Sequence, residues 1–358
     1  MSRPSEQQGS TGAAPPPPVL TVDALDVSIG SAVRSVRAVR EVSLRLARGE
    51  AVGLVGESGS GKSLTCRSVL GVLPPGCHVT AGNVTLGDTT AGAGPVELTA
   101  LTRKEWNTVR GSRVGAVFQD PASYLNPSLT VGRQLAEQLR VARDLSRSAA
   151  HTRAVDLFAA VGLREPAEVY HQYPHELSGG MLQRVLIAIA VSCEPELLIA
   201  DEATTALDVV VQAEILELLR TLRAERGLAL LLVTHDLAVV AESCDRVVVM
   251  YAGEIVEDGP TADVLADPAH PYTEALLRVA SIGDWDRRDL DIIPGRPPET
   301  GAELPGCRFA DRCAYATAAC TEAPVALHSR ADGRRARCLR LTEPSFPVPA
   351  TAARGATV

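Results

Sequence analysis

Residues 51–64 read Ala51-Val52-Gly53-Leu54-Val55-Gly56-Glu57-Ser58-Gly59-Ser60-Gly61-Lys62-Ser63-Leu64. The first five are an apolar run of strand length, and residues 64–73 carry helical periodicity that ends at Pro74-Pro75-Gly76. Between them lies G-x-x-x-x-G-K-S, a pattern whose glycines let backbone N–H groups turn inward around phosphate oxygens. The N-terminus of the following helix favours the same negative charge. Lys62 is then placed to reach β- and γ-phosphates, and Ser63 to offer its hydroxyl to Mg2+. An ordinary Gly/Ser turn has a similar composition, but here both the preceding strand and the following helix are present. Gly56, Glu57, Ser58, Gly59, Ser60, Gly61, Lys62, Ser63 and Leu64 are therefore the expected nucleotide cradle.

Working outward, residues 197–200 and 229–233 are continuous apolar runs of the kind buried in a parallel sheet, and residues 211–226 have helical periodicity ending at Gly227. This βαβ pattern predicts an α/β fold with a mainly parallel sheet covered by helices. Residues 121–177 break the alternation with charged helical segments at 131–145 and 153–161, the mark of an inserted helical subdomain. Residues 1–18 end in Pro15-Pro16-Pro17-Pro18 and have nothing to bury, so they read as a disordered tail. The expected organisation is a tail over 1–18, a nucleotide-binding domain over 19–263 and a loop-rich C-terminal module over 264–358.

Composition bounds the function. The chain has 358 residues, 46% of them hydrophobic, with 35 Lys plus Arg against 43 Asp plus Glu and a formal charge of -8. That balance suits a folded protein and argues against nucleic acid as the partner. No run approaches the roughly 18–20 apolar residues that span a bilayer. The polar, proline-rich start lacks the apolar core of a secretory signal, so a cytosolic location is expected. Cys66, Cys77, Cys193 and Cys244 read as scattered small hydrophobes, whereas Cys307, Cys313, Cys320 and Cys338 crowd the last fifth of the chain. In a reducing compartment such a cluster points to metal before disulfide.

Residues 196–202 read E-L-L-I-A-D-E, a strand that delivers two carboxylates at its end. Asp201 is the candidate for the Mg2+ shell. Glu202, aimed differently by one residue, is the candidate general base for the attacking water. His235 follows another apolar run and is expected at the same sheet edge as a γ-phosphate contact. Gln119, after residues 114–118, is similarly placed for the Mg2+ or water shell. A lone His or Gln in a loop is more often structural, and only the shared edge raises these two. Ser178-Gly179-Gly180 opens an apolar helix and forms a second anion-binding N-terminus.

The order of phosphate loop, Gln119, L-S-G-G-M-L-Q-R, L-L-I-A-D-E, Ala206-Leu207-Asp208 and His235 resembles the ATPase domain of ABC proteins. The resemblance implies a head-to-tail dimer in which each ATP lies between the Lys62 loop of one domain and the Ser178 signature of the other. It also implies that residues 120–129 contact the membrane permease. Val211-Gln212, His270-Pro271-Tyr272-Thr273, Pro294-Gly295-Arg296-Pro297-Pro298 and the cysteine cluster narrow the likeness to the oligopeptide/dipeptide/nickel importer ATPases. Two positions depart from that pattern. Ile29 stands where the family sets an aromatic ring on adenine, and Ala203 replaces a usual proline.

The C-terminal cysteines are separated by five, six and seventeen residues, without the short C-x-x-C of zinc sites. Spacing alone says only that four thiolates could converge, on a cluster, on structural zinc, or as unligated buried thiols. The resemblance implies a 4Fe-4S cluster, with Zn2+ as the alternative. It further implies a peripheral protein on the cytoplasmic face of the membrane, an ATP-hydrolysing importer subunit for peptides or a related solute. Its expected partners are two permeases, a second ABC ATPase subunit and an extracytoplasmic solute-binding protein. A soluble ABC ATPase acting on DNA or ribosomes would need a long coiled-coil insertion or tandem domains, and a nucleotide-binding regulatory module would need neither Glu202 nor His235.

Overall fold

A computed structural model of the chain describes residues 18–31, 34–87, 94–203, 208–280 and 293–341. The expected tail before Pro18 and residues 204–207, which carry part of the Ala206-Leu207-Asp208 motif, lie outside the described residues. The chain forms β1 (Pro18–Ser31), β2 (Arg34–Ala47), β3 (Ala51–Val55), α1 (Lys62–Val69), β4 (Cys77–Leu86), β5 (Val96–Glu97), α2 (Arg103–Val109) and β6 (Val114–Val117). Then α3 (Val131–Arg143), α4 (Arg147–Ala160), α5 (Pro166–Val169) and α6 (Gly179–Val191) follow with no strand between them. Alternation resumes with β7 (Leu197–Asp201), α7 (Val209–Arg226), β8 (Ala229–Val233), α8 (Leu237–Ser243), β9 (Arg246–Tyr251) and β10 (Glu254–Pro260). α9 (Thr261–Ala266), α10 (Pro271–Ala280), α11 (Ala319–Glu322), β11 (His328–Ser329) and β12 (Arg335–Ala336) complete the order.

The larger sheet has the order β11-β12-β10-β9-β3-β8-β7-β6, and β9, β3, β8, β7 and β6 run parallel. Both of its faces are covered, which is why β3, β7 and β8 are buried at every residue and read as unbroken apolar runs. Side chains alternate between two cores. Ala51 and Val55 of β3 join α3, α4, α6 and α7 on one side, while Val52 and Leu54 join β1, β2 and β4 on the other.

That second face departs from the expected helical cover. It is closed largely by an antiparallel sheet of order β2-β1-β4-β5. β1 and β2 pair along most of their length, and β1 shifts register between Val22 and Leu25 and again before Val27. These irregularities blur the period of two that would announce a half-buried strand.

The helical insertion is capped at its joints. Thr130 accepts from the Arg133 N–H at the start of α3, and Ser146 from the Ala149 N–H at the start of α4. α3 buries Val131, Leu135, Ala136 and Leu139, one face of a helix. α1 is shorter than its periodicity predicts. Gly71, with φ of +62° and no room for a Cβ beside the Trp106 ring at 2.4 Å, stops it ahead of the prolines.

The C-terminal module adds to the sheet edge. β12 pairs antiparallel with β10, Glu257 opposite Ala336 and Asp258 opposite Arg335. The buried Asp258 accepts from Arg246 at 2.7 Å and from Arg335. Among the described residues no helix is long and apolar enough to cross a membrane.

Candidate nucleotide site

The loop after β3 is shaped by what cannot fit there. A Cβ on Gly56 would meet the Met250 carbonyl oxygen at 2.1 Å, so the chain presses against β9 as only glycine allows. Gly61, with φ of +102°, caps α1 without a side-chain bond, leaving the first N–H groups of the helix facing the loop. The Lys62 ammonium donates to the carbonyls of Gly56 at 2.7 Å and Glu57 at 3.0 Å, and to Ser60 Oγ at 3.5 Å. Burial pushes its pKa down, opposed by the nearby carboxylates of Glu202 and Asp201. The Ser63 hydroxyl donates to Asp201 Oδ1 at 3.2 Å, joining the start of α1 to the end of β7. Burial pushes the Asp201 carboxyl up, so the site favours a positive partner for it.

Glu202 leaves β7 in the left-handed region with φ of +50°, and its N–H donates to the Val233 carbonyl at 2.9 Å. This backbone turn redirects its side chain relative to Asp201. Glu202 Oε1 comes within 3.7 Å of His235 Nδ1, bringing together the ends of β7 and β8. The adjacent Asp236 caps α8, accepting from the Ala238 N–H at 2.8 Å. Gln119 is exposed, two residues beyond β6, whose Val117 pairs with Ala200 of β7. Lys62, Ser63, Asp201, Glu202, His235 and Gln119 thus all follow the carboxyl ends of parallel strands, the edge where α/β sheets hold ligands.

Ser178, Gly179 and Gly180 stand elsewhere, at the head of α6 in the helical insertion. Ser178 Oγ accepts from the Met181 N–H at 3.3 Å. A Cβ on Gly180 would meet Val211 of α7 at 2.8 Å, so α6 and α7 approach closely at that end. Leu64 lies within α1 and packs partly buried against the core shared with the antiparallel sheet. Ile29 is part exposed near the end of β1, opposite Val36 on β2.

Two contacts to the loop have no counterpart in the motif reading. The Glu57 N–H donates to the Tyr272 hydroxyl at 2.7 Å, and Arg312 donates to both Glu57 carboxylate oxygens, at 2.7 and 3.0 Å. The sequence signal is an acidic residue inside a phosphate loop, which calls for a cation without saying which one.

Cys307, Cys313, Cys320 and Cys338 are free thiols that line one small cavity together with His270 and Phe309. Burial pushes Cys307 up to about 12 and Cys313 up to about 11. The Tyr315 N–H points at Cys313 Sγ at 3.4 Å. Among the described residues, however, no group of three or more His, Cys, Asp or Glu side chains is arranged to hold a metal ion.

The strand, glycine loop and helix, with Ser63 on Asp201 and Glu202 beside His235, define a P-loop ATPase. Residues 39–205 match the ABC transporter family, and residues 256–320 match the C-terminal region of the oligopeptide/dipeptide transporters. The chain is 42% identical over 320 residues to the dipeptide transport ATP-binding protein DppD of Escherichia coli (strain K12), covering 89% of this chain and 96% of the relative. It is 43% identical over 309 residues to the oligopeptide transport ATP-binding protein AppD of Bacillus subtilis (strain 168), covering 86% and 92%. Among solved structures, the ATP-binding cassette MJ0796, in a dimeric post-hydrolysis state bound to ADP and Pi, aligns with a TM-score of 0.58 at 27% identity over 68% of this chain and 98% of that one. The chain belongs to the ATP-hydrolysing subunits of the oligopeptide/dipeptide ABC transporters.

Proposed function

We propose that this chain, seated on the cytoplasmic face of the membrane, couples ATP binding and hydrolysis to the inward transport of di- or oligopeptides. The observation that carries this reading is the presence, in one chain, of the assembled Ser63–Asp201 and Glu202–His235 site and the C-terminal oligopeptide/dipeptide region. In this reading residues 19–263 are the ATPase domain, with its helical subdomain near 121–177, and 264–358 the extension. Two permeases and a second ATPase subunit complete the machine, with an extracytoplasmic binding protein delivering solute.

Within the site, the loop from Gly56 to Leu64 and Lys62 hold the nucleotide phosphates. The hydroxyl of Ser63, the carboxylate of Asp201 and the amide of Gln119 are hard oxygen donors that suit Mg2+, which neutralises phosphate charge when bound. Glu202 takes the proton of the attacking water, and His235 orients it while contacting the γ-phosphate. Ser178, Gly179 and Gly180, at the N-terminus of α6, serve the nucleotide of the partner subunit, as the resemblance to ABC ATPase domains implies.

Uptake tests the reading directly. Deleting the chain should abolish accumulation of a radiolabelled dipeptide or tripeptide, wild-type chain should restore it, and Lys62→Ala should not. Peptide uptake unchanged by the deletion would refute it.

The four C-terminal cysteines support a second, narrower proposal: they hold a 4Fe-4S cluster that organises the extension. All four thiols line one small cavity, and a 4Fe-4S cluster takes four cysteine thiolates as its ligands. Ligation at a site that exists only in the folded module would stabilise that fold. Anaerobically purified protein should be brown, with iron and acid-labile sulfide in comparable amounts. One zinc per chain, or no metal, would overturn the assignment.

A further inference from the structure

Arg312 lies in the short turn between Phe309 and Cys313 and is nearly sealed from solvent, its side chain 4% exposed. All of its N–H donors are satisfied. Nε donates to the Pro294 carbonyl at 2.9 Å, and one terminal nitrogen to Glu57 Oε2 at 2.7 Å and the Tyr251 hydroxyl at 3.2 Å. The other donates to Glu57 Oε1 at 3.0 Å and the Ile293 carbonyl at 3.2 Å. Such a fork needs the planar guanidinium, since an ammonium has too few donors and the wrong shape. Beneath it, Tyr251, Tyr272 and Phe309 pack ring against ring, and Tyr272 takes the Glu57 N–H.

Glu57 is the problem this arrangement answers. It is the second residue of the loop that must hold a polyphosphate, and it lies near enough to Lys62 to act on its charge. Left free, its carboxylate would repel the phosphates and compete for Lys62. We propose that Arg312 is a positioning residue of the nucleotide site, neutralising Glu57 and pinning the phosphate loop to the C-terminal module. The extension is then a wall of the ATP site, and the loop meets phosphate already in shape, without the ordering cost a free loop would carry. This rests on the reading that the loop binds ATP.

The test compares MgATP hydrolysis by full-length Arg312→Met, Glu57→Gln and the double variant. Arg312→Met should raise KM for MgATP about tenfold while kcat changes less than about threefold. The double variant should return KM to within about threefold of wild type, because the repelling charge is gone with its partner. A merely structural role would show no such rescue. Arg312→Lys, which keeps the charge but not the fork, should give an intermediate KM, and it carries the same rescue test if Arg312→Met does not fold. Unchanged KM in both Arg312 variants, or a double variant no better than the single, would overturn the proposal. Lys62→Ala run alongside separates the two readings: if it hydrolyses ATP normally, the loop assignment fails rather than the Arg312 proposal.

Discussion

Ile29 is the residue whose neighbours most clearly suggest an improvement. It is exposed on β1, with Val36 opposite it on β2 and also exposed. Ile29→Tyr should tighten ATP binding by about 1 kcal/mol through stacking on adenine. Calorimetric titration showing unchanged or weaker affinity would mean the base lies elsewhere. Gly56→Ala should go the other way and abolish binding, since its Cβ has no place beside the Met250 carbonyl. Wild-type affinity in that variant would refute the close approach. At this scale the sequence speaks where chemistry is local. Lys62, Ser63, Asp201 and Glu202 sit in short patterns from which the roles proposed for them can be read. The bond from Arg312 to Glu57 joins positions 255 residues apart, and no local pattern can announce it.

Elements tell a similar story. β3, β7 and β8 are legible because burial on both faces makes them solid apolar runs, and α3 and α7 because one helical face is apolar. The antiparallel cover escapes notice because register shifts break the alternation of β1. β12 escapes because two residues are too few to carry any period; its pairing is decided by Asp258. That carboxylate is buried between Arg246 and Arg335. Asp258→Ala should therefore destabilise the protein by about 1–2 kcal/mol in urea unfolding, because Arg335 loses the carboxylate that ties β12 to β10 while Arg246 keeps Glu50. Hydrogen exchange should rise first in residues 328–336. Full protection there, with wild-type stability, would show that the module is held by other contacts.

For the whole molecule, the parallel strand ends gather Lys62, Ser63, Asp201, Glu202 and His235 at one edge, while Ser178 to Gly180 stand on the helical insertion. The Lys62 loop and Ser178–Gly180 open two different helices, and the proposed shared-nucleotide dimer uses both ends. The account requires that binding and hydrolysis be separable by single substitutions. The decisive measurement is ATP binding and turnover, side by side, in Lys62→Ala and Glu202→Gln. Lys62→Ala should lose both, because the charge that holds the phosphates is gone. Glu202→Gln should bind MgATP as tightly as wild type, run as a dimer with nucleotide, and lose turnover by about a hundredfold or more, as loss of a general base predicts. Normal hydrolysis by Glu202→Gln would contradict the account.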